Sequence, residues 1–334
     1  MKQHYTLADM GRWTGRIDDT KNYDAFRWHQ WVKPLDLNRD QNPLKENEFG
    51  IAFIGFCCDE GVKRNMGRTG ASKGPDSIRR ELCNLPCSFT PDFKLFDAGN
   101  IHCLNDNLEA AQNALAESVS RIKGMNLFPI VLGGGHEVAF GTYKGLRLNK
   151  ASKEDNLGII NFDAHFDIRP YYEEGSSGTM FRQISDMCLD NSWNFNYFCI
   201  GIQKRGNTVQ LFKTAKALGI EYLMAKDIGE GDLDKSIEAL DQFIERQDDL
   251  YVTICTDVFS SAFAPGVSAS QPLGLHPERI LKFFKHIFKS KKVIAFDIAE
   301  VSPRFDHDNI TANLAATFIF SAVNSMAHNR GLSY

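Results

Sequence analysis

Short apolar runs recur along the chain with amphipathic stretches between them, and the two periodicities together indicate the fold class. The runs FGIAFIGF, FPIVLGG, LGIINFDA, NYFCIGI, LYVTICTD and KKVIAFDIAE are apolar nearly throughout. A strand without a polar face is buried on both sides, as the strands of a parallel sheet are. Between these runs, NDNLEAAQNALAESVSRIKG, TVQLFKTAKALG, DLDKSIEALDQFIERQ and HPERILKFFKHIFK space their apolar residues at helical intervals. Strands and helices in alternation predict one doubly wound α/β domain whose parallel sheet is covered on both faces. Residues 1–48 break the pattern. They are polar and aromatic, with the turn-rich stretch DLNRDQNPLKEN, and read as an N-terminal segment wrapping over a domain that spans 49–334.

In such sheets the ligand site lies just beyond the carboxyl ends of the strands. There the stretch LGIINFDAHFDIRP carries Asp163, His165 and Asp167 at alternate positions. Read as extended chain, the three point to one side while Ala164 and Phe166 point into packing. Carboxylate and imidazole donors converging in this way suit a divalent cation such as Mn²⁺, Fe²⁺ or Zn²⁺. His136 directly follows three glycines that end another run, and Asp257, Asp297 and Glu300 close two more. A solvated turn or a capping histidine would account for any one of these. Acids at several converging strand ends would repel one another unless cations pair with them.

Composition narrows the partners. The 334 residues are 43% hydrophobic and 24% charged, enough for a large core. A net charge of −4 without a basic block argues against nucleic acid and anionic membranes as partners. No stretch reads as approaching the ~18 apolar residues that cross a bilayer, and MKQHYTLADMGRW lacks the apolar centre of a secretory signal. Eight cysteines form no CxxC pair, and several lie in apolar runs such as YFCIGI and YVTIC. They read as buried thiols of a cytoplasmic protein.

Taken together, GGGHE (133–137), DAHFD (163–167), the Thr253–Asp257 strand end and DIAEVSP (297–303) resemble the arginase-type ureohydrolases, in this order and at suitable separations. GFCCDEGVKRNMGRTGASKGPDSIRREL is similar to that family's opening loop. Within the family, DEGVKRNMGR, DAHFDIRP, SSGTMF and FAPGVSA most closely resemble the formimidoylglutamase branch. The resemblance runs from about Gly50 to Ala316. It implies a three-layer α/β/α fold with a central, mostly parallel sheet and assembly as a trimer or hexamer. It also implies two Mn²⁺ per chain, held by His136, Asp163, His165, Asp167 and Asp257.

One position departs from the family. The resemblance implies an acid two residues before Asp257, bridging both metals with its two oxygens, and this chain has Cys255. A thiolate offers one soft donor atom, whereas Mn²⁺ prefers hard oxygen ligands. Three roles stay open for Cys255: a bridging or terminal thiolate in a modified pair of metals, a centre that keeps one ion and loses the second, or a buried thiol beside a degenerate site.

The resemblance implies a small-molecule substrate and hydrolysis of its amidine or guanidine. Two divalent ions sharing a water lower its pKa toward neutrality, Glu300 would orient the cationic target, and Asp257 or Asp167 would carry a proton to the leaving amine. For N-formimino-L-glutamate, hydrolysed to L-glutamate and formamide in histidine degradation, the pocket needs groups for two carboxylates. Arg169 is one, with its planar fork. Ser177 and Thr179 lie in GSSGT, a stretch read as a small anion nest. Asn65 and Arg68 come from the opening loop, and FAPGVSA (263–269) reads as a rigid pocket rim. The alternatives are another ureohydrolase, such as an agmatinase or guanidino-acid hydrolase, and a non-catalytic paralogue whose metal centre Cys255 impairs.

Overall fold

The computed structural model describes residues 1–39, 42–148, 156–229, 231 and 233–334. Its strands are β1 (Tyr5–Thr6), β2 (Lys33–Pro34), β3 (Phe49–Cys57), β4 (Phe93–His102), β5 (Phe128–Leu132), β6 (Leu157–Phe162), β7 (Asn196–Ile202), β8 (Glu221–Met224), β9 (Asp249–Cys255) and β10 (Val293–Ala299). They form one sheet in the order β1-β4-β3-β5-β10-β9-β6-β7-β8, with β2 also on β4. The pairing is parallel except between β1 and β4.

Along β3 the side chains divide between two cores. Ile51 and Phe53 enter one cluster with the helices Gly74–Leu82, Leu233–Glu245, Pro277–Lys289 and Ile310–Asn329. Ala52, Ile54 and Phe56 enter the other with Leu108–Gly124, Val138–Leu148, Met180–Asn191 and Val209–Ala217. Period-two alternation in an all-apolar strand thus covers both faces of the sheet, giving the three layers.

β4 and β8 escape a reading based on apolar runs. Asp97, Gly99 and Asn100 interrupt β4, and Asp97 is buried because Arg79 Nε and Nη2 donate to it at 2.8 and 2.9 Å. β8 is a half-exposed edge strand. The first 48 residues supply β1 and β2 and insert Trp13 and Trp28 into the core. The indole of Trp13 donates to Asp97 at 2.7 Å.

The membrane expectation needs a correction. Ile310–Asn329 is a 20-residue helix, long and apolar enough to span a bilayer. Its apolar residues are interspersed with Thr, Asn and Ser rather than run together, and its Ala312, Ala315, Ile319 and Val323 pack in the core.

All eight cysteines are free thiols, six of them buried. Four neighbouring strands, β5, β10, β9 and β6, present their carboxyl ends at one edge of the sheet, where the site residues lie.

Candidate metal and substrate site

Each of those four ends delivers a side chain. His136 lies four residues past Leu132, Asp163 directly follows Phe162, Cys255 is the last residue of β9, and Glu300 directly follows Ala299. The glycines before His136 allow its loop to lie tight between β3 and β10. A Cβ on Gly134 would sit 1.7 Å from the Cys58 carbonyl oxygen, so only glycine fits. Gly135 N–H donates to that carbonyl at 2.9 Å, and Glu300 N–H donates to the Gly134 carbonyl at 2.8 Å.

The DAHFD residues converge by a different route from strand alternation. β6 ends at Phe162, the motif is loop, and Asp167 has φ +49°. The amide of His165 donates to Asp163 Oδ1 at 2.7 Å, closing a turn that extended geometry would not permit. Asp257 likewise lies past its strand, in the turn Thr256–Val258. Ala164 and Phe166 are fully buried, as their packing role requires.

Asp163 is the hub. Its Oδ2 lies 2.9 Å from His136 Nδ1, and its Oδ1 lies 3.3 Å from His165 Nδ1. Asp167 approaches His136 Nδ1 at 3.1 Å, and Asp257 approaches His165 Nδ1 at 3.2 Å. Two donor triads result, His136–Asp163–Cys255 and Asp163–His165–Asp257, with the donor atoms of each within 4.8 Å of one another. Behind the first, His136 Nε2 is 3.1 Å from Thr253 Oγ1; behind the second, His165 Nε2 is 3.5 Å from Gln271 Nε2.

The electrostatics show how the acids and imidazoles of the cluster act on one another. Burial pushes the Asp163 carboxyl up, but His136 and His165 outweigh that and hold it well below the usual range. Burial, with the charge of Asp163, pushes Asp167 up to about 6. Burial also raises Asp257 and, with the charges of Glu137 and Asp257, raises Glu300 strongly. Asp257 Oδ1 and Glu300 Oε2 are buried with no hydrogen-bond partner. Two imidazoles do not neutralise this many carboxylates, and bound cations would. The donor set fits divalent metal.

A cleft of about 290 Å³ opens onto the cluster, a volume suited to a small metabolite. His136, His165, Asp167, Cys255, Asp257 and Glu300 line it, together with Asn65, Arg68, Arg169 and Ser177. Three expectations change. Thr179 does not reach this cleft: its hydroxyl is engaged with Ser176 N, Ser176 O and Gln183 Oε1. GSSGT forms no anion nest, because the amides of Ser177, Gly178 and Thr179 donate to Gly61 O, Ser176 Oγ and Ser176 O. Arg68 reaches the cleft but spends Nε and Nη2 on the carbonyls of Ser268 and Val267 and stacks on Phe305, clamping the opening loop to the rim. Asp297 stays behind the site, bonded to Tyr251.

Several contributors escape sequence reading. Thr253 and Gln271 back the two histidines, and Asn207 braces the 163–167 loop by accepting from Phe166 N at 3.0 Å. Glu137 accepts from Gly61 N at 2.9 Å and holds the opening loop over the site. Its place beside His136 in GGGHE was the available signal. The rim loop 263–269 is pinned through Gly266, whose amide donates to Thr311 Oγ1 and whose carbonyl accepts from Ser302 N.

A model of the arginase family matches residues 49–324. The chain belongs to the arginase family. Among its relatives, a formimidoylglutamase of Clostridium tetani is 58% identical over 332 residues, covering 98% of each chain. A formimidoylglutamase of a Geobacillus species is 43% identical over 96% of each. The crystal structure of Bacillus subtilis formimidoylglutamase superposes with a TM-score of 0.77 at 22% identity, covering 92% of this chain and 94% of that one. Trypanosoma cruzi formiminoglutamase, solved with Mn²⁺, gives 0.74 at 24% identity, covering 88% and 98%. The two solved structures share the arginase-family fold seen here.

Proposed function

We infer that this chain hydrolyses N-formimino-L-glutamate to L-glutamate and formamide, breaking an amidine C–N bond with one water, in the degradation of histidine. The observation that carries this reading is the pair of donor triads sharing Asp163 at the base of a cleft that also holds Glu300 and Arg169. The full-length relatives named formimidoylglutamase support the same substrate.

His136, Asp163, Asp167 and Cys255 would hold one divalent ion, and Asp163, His165 and Asp257 the other, with manganese the family's metal. When bound, the ions supply a water of lowered pKa. Glu300 Oε2, buried and without a protein partner, accepts from the amidinium and orients it in the cleft. Arg169 draws the substrate carboxylates to the outer end of the cleft, with the Ser177 hydroxyl and Asn65 beside it. Asp257 Oδ1 or Asp167 carries a proton to the departing amine. Charge at the far end separates this substrate from agmatine: Arg169 and Arg68 line the cleft, and every acid that lines it belongs to the metal cluster or is Glu300.

The test is side-by-side assay of formimino-glutamate, agmatine and arginine with Mn²⁺-loaded protein. Release of formamide from formimino-glutamate alone is expected, and turnover of agmatine alone contradicts the reading. We further read the chain as a cytoplasmic homo-oligomer, for which light scattering gives the stoichiometry.

A further inference from the structure

The two triads are chemically unlike. One is built from nitrogen and oxygen only, Asp163, His165 and Asp257. The other includes the Cys255 sulfur beside His136 and Asp163, and Cys255 is only 2% exposed. Cys255 groups with His136 and Asp163, and its thiol also lies against Asp257. That grouping puts a sulfur donor on the His136 side of the cluster, where the sequence reading expects an acid. Only Asp163, with one oxygen toward each histidine, is shared.

We infer that the His136–Asp163–Asp167–Cys255 half of the centre is a thiolate-ligated subsite selective for a thiophilic divalent ion of the Fe²⁺, Co²⁺ or Zn²⁺ class, beside a harder subsite at Asp163–His165–Asp257. This rests on the hydrolase reading above for the presence of a two-ion centre. Sulfur donors favour softer ions, and carboxylate and imidazole donors without sulfur tolerate Mn²⁺. On loading, the Cys255 S–H bond breaks and an S–metal bond forms. The proton leaves through the cleft that Cys255 lines, and no electron is transferred. The bound metal, not the protein, makes the thiolate available, since a coordinating thiol is deprotonated outright.

The selectivity is tested by titrating metal-stripped protein with Co²⁺ under anaerobic conditions. The parent is expected to show sulfur-to-cobalt charge-transfer absorption in the near ultraviolet, to release protons, and to protect Cys255 from alkylation as mapped by mass spectrometry. Cys255→Ser should lose the absorption while keeping an ion at the harder subsite. Cys255→Asp should also lose it and shift the Mn²⁺-to-Co²⁺ affinity ratio toward Mn²⁺ by about tenfold or more. Cobalt bound by the parent without the sulfur band, or with Cys255 still open to alkylation, overturns the inference. An unchanged affinity ratio in Cys255→Asp does the same. Formamide release is measured on the same samples: the band without turnover defeats only the substrate reading, and turnover without the band defeats only the thiolate.

Discussion

Glu300 occupies a left-handed backbone conformation, φ +65°, with its amide on Gly134 O and its Oε1 accepting from His136 N at 3.1 Å. A non-glycine residue keeps such a conformation only where its surroundings hold it. Here the result is a free Oε2 facing the cleft. Glu300→Gln keeps the amide geometry and removes the charge, so kcat/KM for formimino-glutamate should fall on the order of a hundredfold, with the metal content unchanged. Arg169→Ala should act mainly on KM, raising it about tenfold, because the proposed role of Arg169 is to hold the substrate carboxylates away from the reacting carbon; steady-state kinetics separates the two. Glu137 contributes a pH dependence of stability. Burial raises it from 4.5 to about 8, so between those values the folded chain holds a proton that the unfolded chain releases. Stability is therefore present below the lower value and lost as pH rises through the upper one. Urea unfolding of Glu137→Gln should show a shallower decline across that window than the parent.

At the scale of elements, the candidate metal donors were identifiable by residue type, and their arrangement was not. Asp163, His165 and Asp167 were identifiable by type, whereas the turn that unites them depends on Asp163 Oδ1 capping the His165 amide and on a positive φ at Asp167. GSSGT misled for a related reason, because which amides stay free depends on where Gly61 and the Ser176 hydroxyl sit. β4 was hidden by Asp97, whose burial makes sense only with Arg79 and Trp13 in place. That network straps the N-terminal segment to the sheet edge. Arg79→Ala leaves the Asp97 charge buried and unpaired, which should cost roughly 3–5 kcal/mol in urea unfolding.

For the whole molecule, the six apolar runs sufficed for a parallel α/β sheet, because strands buried on both faces advertise themselves. Four of those runs bring the site together, and their adjacency in the sheet, β5-β10-β9-β6, follows from crossovers that periodicity does not encode. Ile310–Asn329 shows the converse: an apolar helix can be a core element, and composition alone does not separate it from a membrane span. The central claim is that distant strand ends build one two-ion centre around a shared carboxylate. Equilibrium dialysis against Co²⁺, an ion that accepts both sulfur and oxygen or nitrogen donors, followed by elemental analysis of the parent and of Asp163→Asn, tests it most directly. The account predicts two ions per chain in the parent and loss of both in the variant. A parent that binds none, or an Asp163→Asn protein that still holds two, contradicts it.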